Sequence, residues 1–419
     1  MVRPYLLPAM TLLVILAASL AYGADRAGLS LVFSGLLAIL AAVSSLPQRQ
    51  MVVPFPLIVG SIAWLILAVM SVMQGRWEAA WPDLATLAGA GAIYWVMFQA
   101  ALASNQARQL VLLHQLALLA LAIFAFMSFV TTPDAIWGQA KAYHQGRLTA
   151  AFLSANTAAT LFAVAAVLAL SQILNTVRSV RWRVGHLLQP GRGAVLPIVL
   201  FLFTVTCLVL TASRAGIMTG CAAMIALVIW SRSGRQDRAL VPVLLFIGAM
   251  VVLGAVSGQG AQDRLTDLGG DDVGRWILWR ATFAAFLDAP LFGHGLGRFT
   301  EALAPHITVD TAHVLVFQGA AHNLPLQWLV QTGIVGTIPG GAVIVTIFVS
   351  LIKGLRRSRQ LRSLLRASVV ILALVLVHGL VDYALEIPAI LWWVSSLMGL
   401  GTGVAQGRTV KRDRRRTAR

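Results

Sequence analysis

A histidine and an asparagine, His322-Asn323, stand where a long polar segment meets a hydrophobic run, downstream of a glycine-rich turn, Gly293-His294-Gly295-Leu296-Gly297. Imidazole titrates near neutrality, so it can take a proton from a hydroxyl under physiological conditions. Arg147, Arg214 and Arg275 lie at the ends of apolar runs or within the long segment. A guanidinium presents a planar fork that holds two phosphate oxygens and stays charged at any physiological pH. At a helix centre in hydrocarbon an arginine costs ~2.5–3.5 kcal/mol, so its presence there invites a reason. Snorkelling to the interface is one reason and anion binding is the other. Taken singly, each arginine reads as an interface anchor and His322 as a helix cap. Three arginines together with a histidine point instead to a pyrophosphate held beside a base at a membrane surface.

The elements that must position these groups are membrane spans. Of 419 residues, 58% are hydrophobic and 11% charged, with a mean hydropathy of +0.82. That is too apolar for a soluble globular protein and predicts an all-α, polytopic transmembrane bundle. Twelve spans are expected, at about 4–22, 27–46, 51–73, 84–103, 109–130, 150–173, 194–211, 215–230, 239–257, 324–352, 367–386 and 388–404. The first resembles a signal peptide, but its apolar run is long and more spans follow, so it is read as a retained helix. Pro325, Gly333, Gly336 and Pro339-Gly340-Gly341 predict a break in the 324–352 span.

With the N-terminus inside, most of the 32 Lys and Arg fall in the inside segments, and all the acids except Asp237 and Asp413 fall elsewhere, as the positive-inside rule requires. This divides the chain into spans one to nine over 1–257, a large outside loop with short helices over 258–323, spans ten to twelve over 324–404, and a basic inside tail over 405–419. The net charge of +17 then reports topology and attraction to anionic membrane lipid. Nucleic acid is excluded as a partner, because no aromatic-interleaved basic surface or binding module accompanies the charge. Cys207 and Cys221 fall inside spans and read as small core residues.

Three outside segments carry the polar chemistry. The 131–149 loop holds Lys141, His144 and Arg147, a tight turn holds Ser213-Arg214, and the 258–323 loop is too long for a mere connection. Within it, Arg275 to Leu287 has helical spacing, with Trp276, Trp279, Phe283 and Phe286 on one broad stripe, which predicts an aromatic anchor at the interface. His294, between glycines, is expected near the site, and His306 and His313 in the solvated loop. His114 reads as a span residue and His186 as an inside one. His378 and Asp382, four apart in the eleventh span, are expected to share a helix face. Asp263, Asp267, Asp271 and Asp272 lack clear metal-ligand spacing and read as a solvated loop.

The ordered set of these residues resembles the O-antigen ligase and polymerase family. It comprises Arg147-Leu148-Thr149-Ala150-Ala151-Phe152 with Asn156, Ser213-Arg214-Ala215-Gly216, Arg275 with Trp279, the glycines of 290–299, and His322-Asn323 leading to Gly333-Ile334-Val335-Gly336. The resemblance runs from about Arg147 to Asp382. It implies an inverting, metal-independent glycosyltransferase in the bacterial inner membrane, with no cofactor and its site facing the periplasm. The donor would be an undecaprenyl-diphosphate-linked glycan and the acceptor a glycolipid or glycan hydroxyl. On that resemblance His322 is the base or acceptor-orienting group, and Arg147, Arg214 and Arg275 hold the diphosphate. Asn323, His294, His378 and Asp382 stand behind them. Two positions depart from the family pattern: Ala150 stands where glycine is usual, and Gln331 where glutamate is often found. Ligase action on lipid A-core is the leading reading, with polymerase of O-antigen or exopolysaccharide, or transfer to protein, as alternatives. A transporter of lipid-linked glycans should show paired broken helices in its two halves, and only one break is expected here. A scaffold has no need of His322 and the arginines together.

Overall fold

The computed structural model describes residues 5–46, 51–102, 106–179, 195–231, 270–357 and 361–417. The helices, in order, are α1 (Leu6–Leu20), α2 (Ala27–Ser45), α3 (Phe55–Met73), α4 (Trp77–Ala101), α5 (Ala107–Thr131), α6 (Ala155–Ser179), α7 (Val195–Leu210) and α8 (Arg214–Ser231). Then come α9 (Gly270–Asp288), α10 (Phe299–Leu303), α11 (Ala312–Leu315), α12 (Leu324–Arg357), α13 (Arg362–His378) and α14 (Pro388–Thr417). A two-residue hairpin, Ala135–Ile136 with Gln139–Ala140, lies between α5 and α6. Eight of the described helices are long and apolar enough to cross a membrane. The expected ninth span, 239–257, lies outside the described residues.

Helices α6 and α14 sit at the centre, and small residues let their neighbours close on them. On α14, Gly399, Gly403 and Gly407 face the backbone carbonyls of Tyr94, Phe98 and Leu102 on α4, so a Cβ at any of the three would collide with main chain. The four-residue step on both helices keeps the seam in register over two turns. Gly216 of α8 faces the methyl group of Ala159 on α6, which a Cβ at 216 would strike. Outward faces of α2 and α3 carry exposed Val32, Ile39, Ile62 and Leu65, the surface expected to meet lipid. Cys207 and Cys221 are buried and unpaired.

Helix α12 breaks at Gly333 alone (φ 59°, ψ −168°) and runs on through Pro339, so Pro339-Gly340-Gly341 does not interrupt it. The turn after α9 repairs the break. Ile334 and Val335 donate to the carbonyls of Pro290 and Leu291, while His294 and Gly295 donate to those of Val330 and Gln331. This strand-like exchange satisfies amides that the interrupted helix leaves open. Gly293 and Gly333 are left-handed, and a side chain on either would strike the other's backbone.

The eleventh span is shorter than its apolar run suggests. Helix α13 ends at His378, and 379–387 are non-helical apart from a short 3₁₀ turn, Ala384–Glu386. Leu324 N–H takes the Gly379 carbonyl at 2.6 Å, and the Asn323 amide takes that of Leu380 at 2.9 Å. His378 and Asp382 therefore do not share a helix face. The expected stripe on α9 also divides: Phe286 is buried and Trp279 packs inward, whereas Trp276 and Phe283 are exposed.

Candidate functional site

The connections after α1, α3, α5, α7 and α13 gather with residues 270–323 at one end of the bundle. Gln74 donates to the carbonyls of Phe292 and Gly293, Trp137 to that of Leu20, and Leu148 N–H to that of Leu210. The polar residues singled out from the sequence lie along these connections.

Arg147 ties its own connection to the one after α7 and to the start of α6. Its Nε donates to the Thr211 carbonyl at 2.8 Å, one terminal nitrogen reaches His144 Nδ1 at 3.1 Å, and the other reaches Asn156 Oδ1 at 3.4 Å. Burial, and then the Arg147 charge, pull His144 down to about 4, so at neutral pH its Nδ1 lone pair is free to accept from the guanidinium. Lys141 donates to the carbonyls of Pro133 and Arg147 at 2.6 and 2.8 Å, which fixes the loop that presents Arg147. Ala150 is left-handed at φ 53°, the backbone state glycine adopts without penalty. The departure from the family's usual residue is a strained alanine in a glycine conformation.

Arg214 opens α8 and is exposed. Ser213 ahead of it is buried, and its hydroxyl accepts the Gly216 N–H at 3.3 Å, capping the helix. That helix start is three residues beyond the carbonyl that Arg147 holds. Arg275, on α9, lies within electrostatic reach of His378.

His322 has φ 48°, left-handed and costly for a residue with a Cβ. Its neighbours are tied on both sides. The Ala321 carbonyl accepts from Trp279 Nε1 at 3.1 Å, the Ala321 N–H donates to Gln327 at 2.7 Å, and Asn323 caps α12 through the Leu326 N–H at 3.0 Å. The His322 ring meets Tyr383 edge-on at 4.8 Å, and Nδ1 stands 3.8 Å from Asp382 Oδ1. Asp382 is 1% exposed, and neither carboxylate oxygen has a hydrogen-bond partner among the described residues. Lys141, Arg147, His322 and Asp382 all act electrostatically on His144, which puts them in one neighbourhood. A hydrogen-bond path runs on from Arg147 through Asn156 and Thr160 to His378 Nδ1, the last step being 2.7 Å.

His294 is not turned into this neighbourhood: its Nε2 bonds the Ala285 carbonyl at 2.7 Å. Gln331 is buried, and its side-chain oxygen accepts the Gly297 N–H at 3.3 Å. Of the four aspartates read as solvated loop, Asp263 and Asp267 lie outside the described residues, as do the side chains of Asp271 and Asp272. Sequence reading missed His144 as the partner of Arg147 and Asp382 as the partner of His322. His322 and Asp382 come from separate segments, so nothing in linear spacing marks that pair, whereas His144 and Arg147 stand three residues apart in one loop whose fold, not its spacing, turns the ring to the guanidinium.

Part of the site and the glycine-bound break of α12 lie within one stretch, and residues 199–339 match the family model described as O-antigen ligase. That stretch is similar to the O-antigen ligase family. Arg214, Arg275, His294, His322 and Asn323 are inside the matched stretch, whereas Arg147, His378 and Asp382 are outside it and meet it through the contacts above. No curated protein matches the chain.

Beside the site, Trp328 of α12 donates to Glu386 at 2.9 Å. Burial, then the nearby Asp83 carboxylate, push Glu386 up to about 8 from an ordinary 4.5. Between these values the folded protein keeps a proton that the unfolded chain has released, so stability is full below about 4.5 and is lost as pH rises through about 8. Glu386→Gln keeps an acceptor for Trp328 and removes the titration. In detergent its melting temperature should match the native protein at pH 5 and exceed it by a few degrees at pH 9. Equal melting at both pH values would show that Glu386 is not held protonated.

Proposed function

We propose that the protein transfers a glycan from undecaprenyl diphosphate to an acceptor hydroxyl at the periplasmic face of the bacterial inner membrane, as an O-antigen ligase acting on lipid A-core. The observation that carries this is His322, held in a strained backbone beside the buried Asp382 carboxylate and in the same neighbourhood as Arg147.

In this reaction the acceptor oxygen attacks the anomeric carbon from the face opposite the diphosphate. The new C–O bond forms as the bond to the phosphate oxygen breaks, so configuration inverts. The hydroxyl proton passes to His322, and the bonding electrons leave with undecaprenyl diphosphate. A sugar hydroxyl is a poor nucleophile, and a base near neutral pKa assists it. The leaving group gains negative charge as it departs, and preorganised guanidinium groups stabilise that charge without reorganising. Asp382 favours the imidazolium formed at His322 and holds the ring toward the acceptor, as the carboxylate does in a triad. A side-chain movement of roughly 1 Å would bring the 3.8 Å separation to hydrogen-bond length.

Purified protein stripped with EDTA, given undecaprenyl-diphosphate glycan and lipid A-core, should form product at the rate of the unstripped enzyme, because the arginines do the work a divalent ion does in metal-dependent transferases. Loss of product on stripping, restored by a divalent ion, would refute the metal-free scheme. The glycolipids of a deletion strain separate the acceptors: full-length chains left on the carrier indicate ligase, and single repeats indicate polymerase.

A further inference from the structure

Helix α9 has two unlike faces. Leu278, Thr282 and Phe286 are buried, and Arg275, three residues before Leu278, falls on the same side. Leu278 and Phe286 share a small core with Phe299, Leu315 and Ala321, so this side is turned into the protein. Val273, Trp276, Arg280, Phe283 and Leu287 follow one another in steps of three and four, which puts them together on the other face. All five are exposed. A stripe with four large apolar side chains on one helix marks a surface that something covers.

The stripe continues into the membrane belt. Just past the end of α9, Leu291 and Phe292 are exposed as well. Their backbone is bonded to two helices of span length: Gln74, at the end of α3, donates to the Phe292 carbonyl, and Val335 of α12 donates to that of Leu291 at 3.0 Å. Near these bonds α3 exposes Val72 and Met73, and α12 exposes Ile334 and Ile338. An apolar surface therefore runs from the outward faces of two spans onto α9. Arg280 decides what covers it. Against a second copy of the chain the guanidinium would be buried on a stripe that holds no acid to pair with it, which is costly. At a bilayer surface the same side chain lays its stem on the acyl chains and reaches a headgroup phosphate, and Trp276 is the residue type favoured at that depth.

We propose that α9 is seated in the lipid leaflet at this end of the bundle, with Val273, Trp276, Phe283 and Leu287 among the acyl chains and Arg280 on a headgroup phosphate. The long connection is then anchored in the bilayer rather than standing clear of it, and Arg275, on the opposite face of the same helix, is held at headgroup depth. The proposal goes beyond the glycosyltransferase reading and stands whether or not that reading holds.

The test is the depth of spin labels on the full-length protein in nanodiscs of phosphatidylcholine and phosphatidylglycerol. Phe283→Cys and Leu287→Cys replace exposed side chains of the stripe. Ile62→Cys on α3 and Val309→Cys, at a site 94% exposed in the 270–323 segment, supply the lipid and water references. Cys207 and Cys221 are buried, and labelling of the native protein measures any reaction at them. At each site, relaxation by oxygen, which concentrates in the bilayer, is compared with relaxation by a water-soluble nickel chelate. The oxygen-to-nickel ratio at 283 and 287 should lie well above that of Val309→Cys and toward that of Ile62→Cys.

Ratios equal to that of Val309→Cys at both sites would overturn the seat in the leaflet. So would low access to both reagents together with broadening between labels, the signature of a second copy packed on the stripe. Arg280→Glu, made in the Leu287→Cys protein, sets a negative charge against the phosphates and should lower the ratio at 287, whereas Arg280→Lys should leave it unchanged. An unchanged ratio with glutamate would overturn the headgroup contact.

Discussion

Arg147→Lys should lower transfer by about 10²-fold, the order of loss seen when one preorganised donor to a developing oxyanion is removed, while protein remains at native levels in the membrane. The guanidinium of Arg147 points its nitrogens at Thr211, His144 and Asn156, a spread that only a rigid planar fork achieves. Lysine keeps the positive charge and concentrates it at one flexible point. It can hold one of the three partners, so the 131–154 connection loses its tie to the turn before α8, and the proposed hold on a phosphate is lost with it. Arg214→Lys and Arg275→Lys should be impaired for the narrower reason that the proposed bidentate phosphate binding is lost. Product formation against time, with donor binding measured in parallel, checks this. Native rates in all three lysine variants would show that no diphosphate clamp exists.

The helices were legible because apolar runs of span length leave the backbone little choice in hydrocarbon. Their ends were less so. The run 367–386 is continuous in hydropathy, yet α13 stops at His378 because Leu324 and Asn323, from a distant segment, take the carbonyls of Gly379 and Leu380. No local pattern encodes that capture. The glycine turn 293–297 was conspicuous in the sequence, but its work is structural: it supplies the hydrogen bonds that the break at Gly333 leaves open. His294 accordingly turns to the Ala285 carbonyl.

His322, Asn323 and the arginines could be singled out because a polar group beside a span is expensive and therefore rare. Asp382 was paired with the wrong histidine for the same reason that the span was drawn too long. Four residues make one helical turn only if the helix continues. The aromatic stripe on α9 misled in a different way: spacing placed Trp276, Trp279, Phe283 and Phe286 together, but tertiary contact with Ala321 drew Trp279 inward while Trp276 stayed exposed. Ala150 had shown only as an unusual residue, and its φ of 53° supplies the physical reason that glycine is usual there.

The largest effect is expected at His322. Its φ of 48° is imposed by Trp279, Gln327 and the Asn323 cap, so replacement by alanine leaves the backbone fixed and removes only the ring. Proton transfer by a positioned base is worth roughly 10²–10⁴ in rate, and alanine should forfeit it without touching the arginines proposed to hold the donor. Asp382→Asn keeps the shape beside Nδ1 and loses the charge that favours the imidazolium, so it should fall between native and His322→Ala.

The decisive measurement is single-turnover transfer by purified His322→Ala, with donor affinity determined on the same preparation. The account predicts a chemical step slowed by at least about 10²-fold and a donor Kd within about twofold of native. Native single-turnover rates, or a loss of rate explained entirely by weakened donor binding, would contradict the assignment of His322 as the group that takes the acceptor's proton.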